Sequence, residues 1–253
     1  MIYDTQKASF IKRLPAWMLD AILAIIVTAG VMAGLSYVLN TDAHSKALDD
    51  IYQAYEEKYK IVFTVTQEEM AAMSEEQLAA YQAAAEELSK DVEAKKAYEQ
   101  VLSDTFLTVS LSLFASALLL EFLMPMWLGN GQTLGKKIFG VGVMRVDGIR
   151  VNRTILFVRA ILGKYTLGTM IPVLLAIMLI FGILGMVGAI VLLVALLLEW
   201  FLPLVTRNRS AVHDLLACTV AVDINSQLIF NTPEEREEYI QQMEAENASE
   251  DTQ

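Results

Sequence analysis

Two stretches of this chain leave little freedom of fold. "FLTVSLSLFASALLLEFLMPMWL", Phe106 to Leu128, carries a single charge, Glu121, and the longer run from Tyr165 to Val205 also carries a single charge, Glu199. A helix rising about 1.5 Å per residue crosses a hydrocarbon core of about 30 Å in about 20 residues. In lipid the backbone must satisfy its own hydrogen bonds, which leaves helices or closed barrels. The first stretch is one span. The second divides into two at the glycine-containing "FGILGM", Phe181 to Met186. A third run, Leu14 to Leu39, is broken only by Asp20. It is too long for a signal peptide's apolar region and has no clear small-residue cleavage site, so it reads as an anchor. The apolar share of 55% exceeds that of an ordinary soluble domain. The expected fold is an all-α polytopic membrane protein with four transmembrane helices.

Basic residues beside the spans set the orientation. Lys7, Lys12 and Arg13 precede the first span, and Arg207 and Arg209 follow the fourth. Lys136, Lys137, Arg145, Arg150, Arg153, Arg159 and Lys164 lie between the second and third, against Asp147 alone. These sides are expected to face the cytoplasm, with both termini inside and the protein multi-pass in the cytoplasmic membrane. Trp17, Trp127, Tyr165 and Trp200 then fall near the inner boundary and Tyr37 near the outer, as an aromatic belt. The remaining loop, Asn40 to Asp104, holds 15 acids, 6 lysines and no arginine, and belongs outside. The net charge of −11 thus conceals a basic girdle, suited to anionic headgroups rather than nucleic acid, and an acidic exterior and tail. The lone Cys218 excludes an intramolecular disulfide and a cysteine-only metal site.

The chain therefore divides into an N-terminus with the first span (1–39), an extracytoplasmic insertion (40–104), the second span (105–128), a basic cytoplasmic segment (129–164), the third and fourth spans (165–205), a second cytoplasmic segment (206–230) and an acidic tail (231–253). The insertion reads as a helical hairpin. Leu48, Ile51, Tyr52, Tyr55 and Tyr59 recur at helical spacing, as do Leu78, Tyr81, Ala85, Leu88 and Val92. Capping boxes begin at Thr66 and Ser74, and the β-branched "IVFTV" marks the turn-over. Its stripe serves either core packing within the hairpin or a docking surface, and packing is the ordinary use. The tail opens as a helix with Pro233 at its first position, then loses apolar content.

"LGNGQTLGKKIFGVGVM", Leu128 to Met144, resembles a phosphate loop but fails on spacing. Gly131 and Gly135 enclose three residues, Lys137 stands where the loop needs Ser or Thr, and a span precedes it instead of a buried strand. Internal duplication explains the stretch better. "LLLEFLMP" (Leu118–Pro125) recurs as "LLLEWFLP" (Leu196–Pro203), each with a Glu four residues before a Pro. Each is followed by a helix-like piece and a β-like run, ending at Asp147 and at Asp223, and "FIKR" at Arg13 is echoed by "LFVR" at Arg159. The spans are expected as two parallel two-span repeats about an axis along the membrane normal, with short cytoplasmic β-like segments. "VMRVDGIRV" adds a two-residue Asp147–Gly148 turn.

"SFIKRLPAWMLDAILAII", "GNGQTLGKKIFGVGVMRVDG" and "SAVHDLLACTVAVD" resemble the three signature blocks of the RDD family of prokaryotic membrane proteins. The resemblance covers roughly residues 8–39 and 105–224. The family's arginine and two aspartates map to Arg13, Asp20 and Asp214, and the activity implied is transport of an unsettled ligand. The long insertion between the first two spans departs from the family pattern.

An acid inside a bilayer asks for a partner or a purpose. Asp20, Glu121 and Glu199 are the candidate ion- or substrate-binding residues, with Arg13, Arg159 and Asp214 as charge partners. Pro125 and Pro203 each deprive the carbonyl four residues back of its helical partner, adding an oxygen beside each glutamate. The competing reading is structural, with Glu121 and Glu199 neutralising Arg13 and Arg159 across helices. Asp214 is expected to cap or to pair with Arg207, Arg209 or a basic residue of the other repeat. His213 and Asp214 are neighbours that point apart on a helix, His44 is isolated in the exterior loop, and no HExxH or GxGD motif occurs. No catalytic constellation, metal site or cofactor is expected, and the chain does not read as an enzyme. The leading function is transport of a cation or small solute with proton coupling, in an oligomer. The alternative is a non-transporting accessory or scaffold subunit that binds or regulates a partner membrane protein.

Overall fold

The computed structural model describes residues 6–206 and 210–250. Arg207 and Arg209, and the side chains of Trp200 and Pro203, lie outside the described residues. The chain forms two compact units, one of Met32–Leu111 and one of Met1–Val31 with Ser112–Gln253.

The smaller unit is helical. Helix α1, Phe10–Leu39, passes into α2, Thr41–Tyr59, through Asn40 in the left-handed region, which asparagine tolerates better than most side chains. Lys60 ends α2 the same way, its N–H and that of Ile61 both reaching the Glu56 carbonyl. Residues 61–65 form the connection, and α3 (Gln67–Ala71) and α4 (Glu75–Lys90) each start from a complete capping box, at Thr66 and Ser74. Lys58 then bridges α2 to Glu87 of α4 at 2.6 Å, and the Tyr55 hydroxyl donates to Asp91 at 2.9 Å.

Among the described residues, three helices are long and apolar enough to cross a membrane: Phe10–Leu39, Val92–Leu128 and Arg153–Ile180. The second comprises α5 (Val92–Ala117), a π-helical turn π1 (Leu118–Leu123) and α6 (Met124–Leu128). The third comprises α8 (Arg153–Phe157), a π-helical stretch π2 (Val158–Met170) and α9 (Ile171–Ile180). Helix α10, Met186–Val205, packs on α9 and contains a shorter apolar stretch, Met186–Glu199.

The second of the long helices begins at Val92, within the insertion, and the third at Arg153, so that Arg159 and Lys164 both lie inside a helix, where each meets a carboxylate. The second helix widens to i→i+5 bonding before Pro125, with the Met124 N–H reaching the Leu119 carbonyl.

The polar segments meet in a small sheet. Strand β1 (Val141–Arg145) follows the short helix α7 (Leu134–Ile138), and β2 (Thr219–Asp223) follows α11 (Val212–Leu216). They pair antiparallel, from Val141↔Asp223 to Arg145↔Thr219. Met144, Val143, Val141, Val220 and Val222 are all buried, which accounts for apolar runs without alternation. Lys7 adds a bridge to Val222 at the other edge of β2. The turn after β1 has three residues, Val146 to Gly148, not two. The Arg145 N–H donates to the Ile149 carbonyl while Gly148, at φ 86°, returns its N–H to Arg145. Helix α12, Pro233–Glu250, closes the described chain.

Candidate functional site

The helix positions bring all three sequence-nominated acids to one place. Asp20 from α1, Glu121 from π1 and Glu199 from α10 line a single cavity of about 260 Å³, together with Lys164, His213 and Trp17. Tyr165 is part of the same wall, edge-on to Phe114 at 5.4 Å.

Each acid has a different environment. Asp20 is held by the start of α7: it accepts from the Thr133 hydroxyl at 2.5 Å and the Gly135 N–H at 2.8 Å, with the Lys136 ammonium at 3.8 Å. Thr133 is the N-cap of α7, so one hydroxyl both starts the helix and engages the carboxylate. Glu121 pairs with Lys164 at 2.5 Å through Oε1, while its Oε2 is buried without a hydrogen-bond partner. Glu199 has no hydrogen bond or ion pair among the described residues, and Gly168 leaves it room: a Cβ there would sit 3.0 Å from its Oε1.

Arg159 makes its ion pair with Asp214. Arg159, 4% exposed, donates to Asp214, 2% exposed, from Nε and Nη2 at 2.9 Å each. The Thr219 hydroxyl adds a bond to the same oxygen at 3.1 Å. Asp214 thus pairs within its own half of the sequence rather than across to the other. Arg13 does not line the cavity, but its charge also acts on Asp214. His213 Nε2 stands 3.6 Å from Asp214 Oδ2, beyond hydrogen-bond reach. In the other unit His44 is not isolated, since its Nδ1 lies 2.6 Å from Asp104.

Sequence reasoning placed Lys164 only as a topology marker, and missed Thr133, Gly135 and Lys136 as partners of Asp20. A lysine just ahead of an apolar run was the one available signal, because nothing in linear spacing joins Lys164 to Glu121.

Three titratable groups of α7 and α11 are displaced from their ordinary ranges. Burial pushes His213 down to about 3, against the opposing pull of Asp214. Burial alone would raise Asp214, but the Arg159 guanidinium beside it holds the carboxyl well below the usual range. Burial, reinforced by Lys164, lowers Lys136 to about 8. All three shifts are depressions, so the unfolded chain binds more protons than the folded one within each window. Stability is expected to rise with pH between about 3 and 6.5 through His213, and again between about 8 and 10.5 through Lys136. The Asp214 contribution is complete above the unfolded value near 3.8 and is lost as pH falls through its lowered folded value. Thermal unfolding in detergent across these windows checks the sign. A His213→Gln variant is expected to flatten the acid window alone.

A model of the RDD family matches residues 7–218, a range that contains every residue lining the cavity. No curated protein and no solved structure matches the chain.

Proposed function

The chain belongs to the RDD family and is an all-α membrane protein, and from that premise we propose that it transports a cation or small solute with proton coupling. The observation that carries this reading is the meeting of Asp20, Glu121 and Glu199, from three different helices, in one cavity. Intramembrane acids are expensive unless used. Glu121 keeps a buried oxygen unpartnered and Glu199 has no partner among the described residues, so both have capacity left for a ligand or a proton. Asp20, by contrast, is already engaged by α7 and anchors that helix to the span. Arg159 with Asp214, and Arg13 near them, act as the structural charges of the site.

The proposal places α10 as a fourth span, with both termini and the β1–β2 sheet at the cytoplasmic face of the cell membrane, the basic girdle on anionic headgroups, and the protein in an oligomer. It also treats the two halves as parallel repeats. The sheet register supports this, because exchanging the strands about the central pair Val143↔Ala221 turns Val141↔Asp223 into Arg145↔Thr219. The same spacing separates Glu121 from Glu199, α7 from α11 and β1 from β2. No enzymatic step is part of this reading.

Liposomes holding purified protein and a trapped pH-sensitive dye test it, with Na⁺, K⁺ or Li⁺ added in turn. Wild type is expected to give a cation-dependent pH change that Glu121→Gln and Glu199→Gln abolish while retaining their helical content. Absence of any flux from folded wild type would reject transport and leave the accessory-subunit reading, tested by a stoichiometric partner retained in mild detergent.

A further inference from the structure

The smaller unit holds a second cavity, of about 470 Å³, bounded by α2, the 61–65 connection, α4 and the first turns of α5. Its walls are aromatic. Tyr52 and Tyr81 each stand edge-on to Phe63, with ring centroids 5.4 and 5.8 Å apart, and Tyr98 joins them. Burial raises the Tyr52 phenol, and the neighbouring phenols of Tyr98 and Tyr81 raise it further, so three hydroxyls gather on this side of the hairpin.

The polar groups here differ from those on the rest of the hairpin. Elsewhere they are paired: Lys58 holds Glu87, Tyr59 also donates to Glu87, and Tyr55 donates to Asp91. In the cavity, the hydroxyls of Tyr52 and Tyr81 and the ammonium of Lys95 have no hydrogen-bond or ion-pair partner among the described residues. Residues 40–104 contain 15 acids, yet none of them lines this cavity. A wall with a lysine, phenol donors and no carboxylate is locally complementary to an anion despite the acidic segment around it. Aromatic rings alone would also welcome an organic cation, but Lys95 repels one.

We infer that this cavity binds a small organic carboxylate with an aromatic or apolar body. Lys95 and the Tyr52 and Tyr81 hydroxyls would receive the carboxylate, and Phe63 and the ring faces would cover the body. The volume lies within the roughly 300–1,000 Å³ of small-molecule sites. This site is separate from the acid-lined cavity, and the inference does not rest on the transport reading.

Calorimetric titration of the full-length protein in detergent tests it, using 2-naphthoate as probe beside 2-naphthylmethylammonium and 2-naphthalenemethanol. Naphthoate is expected to bind saturably and more tightly than either analogue. Lys95→Gln is expected to weaken naphthoate about tenfold, the least that a lost charge-assisted bond gives, and to leave the alcohol unchanged. Tyr52→Phe and Tyr81→Phe should each weaken naphthoate by less. Tighter binding of the ammonium analogue, naphthoate affinity unmoved by Lys95→Gln, or no saturable naphthoate binding by protein of native helical content would overturn the inference.

Discussion

Arg159→Met is expected to destabilise the protein by about 3–5 kcal/mol, the largest effect of any single substitution considered. The arginine is the charge partner of Asp214, and both side chains are almost wholly buried. Removing it strands a carboxylate that, among the described residues, keeps the Thr219 hydroxyl on Oδ1, with His213 3.6 Å from Oδ2. A buried charge without its partner costs far more than the pair gains, because desolvation is no longer offset. The damage should be local before it is global. Helix α11 would loosen from π2, and β2, which follows directly, would exchange its amide hydrogens faster than α1 or α5. The double variant Arg159→Met, Asp214→Leu removes both charges and should recover most of the loss. A double variant as unstable as the single one would show that packing around Arg159, rather than its charge, is what matters. Thermal unfolding in detergent with hydrogen exchange on the single and double variants reads both outcomes.

The second large effect is expected from Gly135→Ala. A Cβ at that position would lie 2.2 Å from the Ala16 carbonyl oxygen and 2.9 Å from Asp20 Oδ1. The first contact is with backbone, which cannot rotate away, so α7 or α1 must shift. That shift also breaks the 2.8 Å bond from the Gly135 N–H to Asp20 and pulls Thr133 off the same carboxylate. A loss of several kcal/mol, on the order of a severe overpacking in a well-packed core, is expected. Gly163→Ala is the counterpart on the other side, since its Cβ would lie 2.5 Å from the Cβ of His213. Gly140→Ala provides the contrast. Its new Cβ would meet only the Asn225 side chain at 3.5 Å, but its φ of 66° still gives a smaller penalty from backbone strain. If Gly135→Ala unfolds at the wild-type temperature, the close approach of α7 to α1 is absent.

The span residues were readable because lipid imposes a length and a near absence of charge, and Phe106–Leu128 satisfies both. The capping boxes at Thr66 and Ser74 were readable because their partners lie three residues away. The three acids could be nominated since charge inside an apolar run is rare. Their partners could not, because pairing is set by which helix faces which. Glu121 meets Lys164 and not an arginine, and Arg159 meets Asp214, through contacts far apart in sequence. The glycine-rich stretch shows the reverse: it resembles a phosphate loop in composition, whereas Gly135 is where α7 touches the backbone of α1 and donates to Asp20.

If the cavity's carboxylates exchange a proton for a cation, as proposed, adding Na⁺, K⁺ or Li⁺ to the purified protein in weakly buffered detergent solution releases a proton. Saturable release is expected from wild type and greatly reduced release from Glu199→Gln at unchanged helical content. Release of equal size from Glu199→Gln, or none from folded wild type, would contradict the exchange.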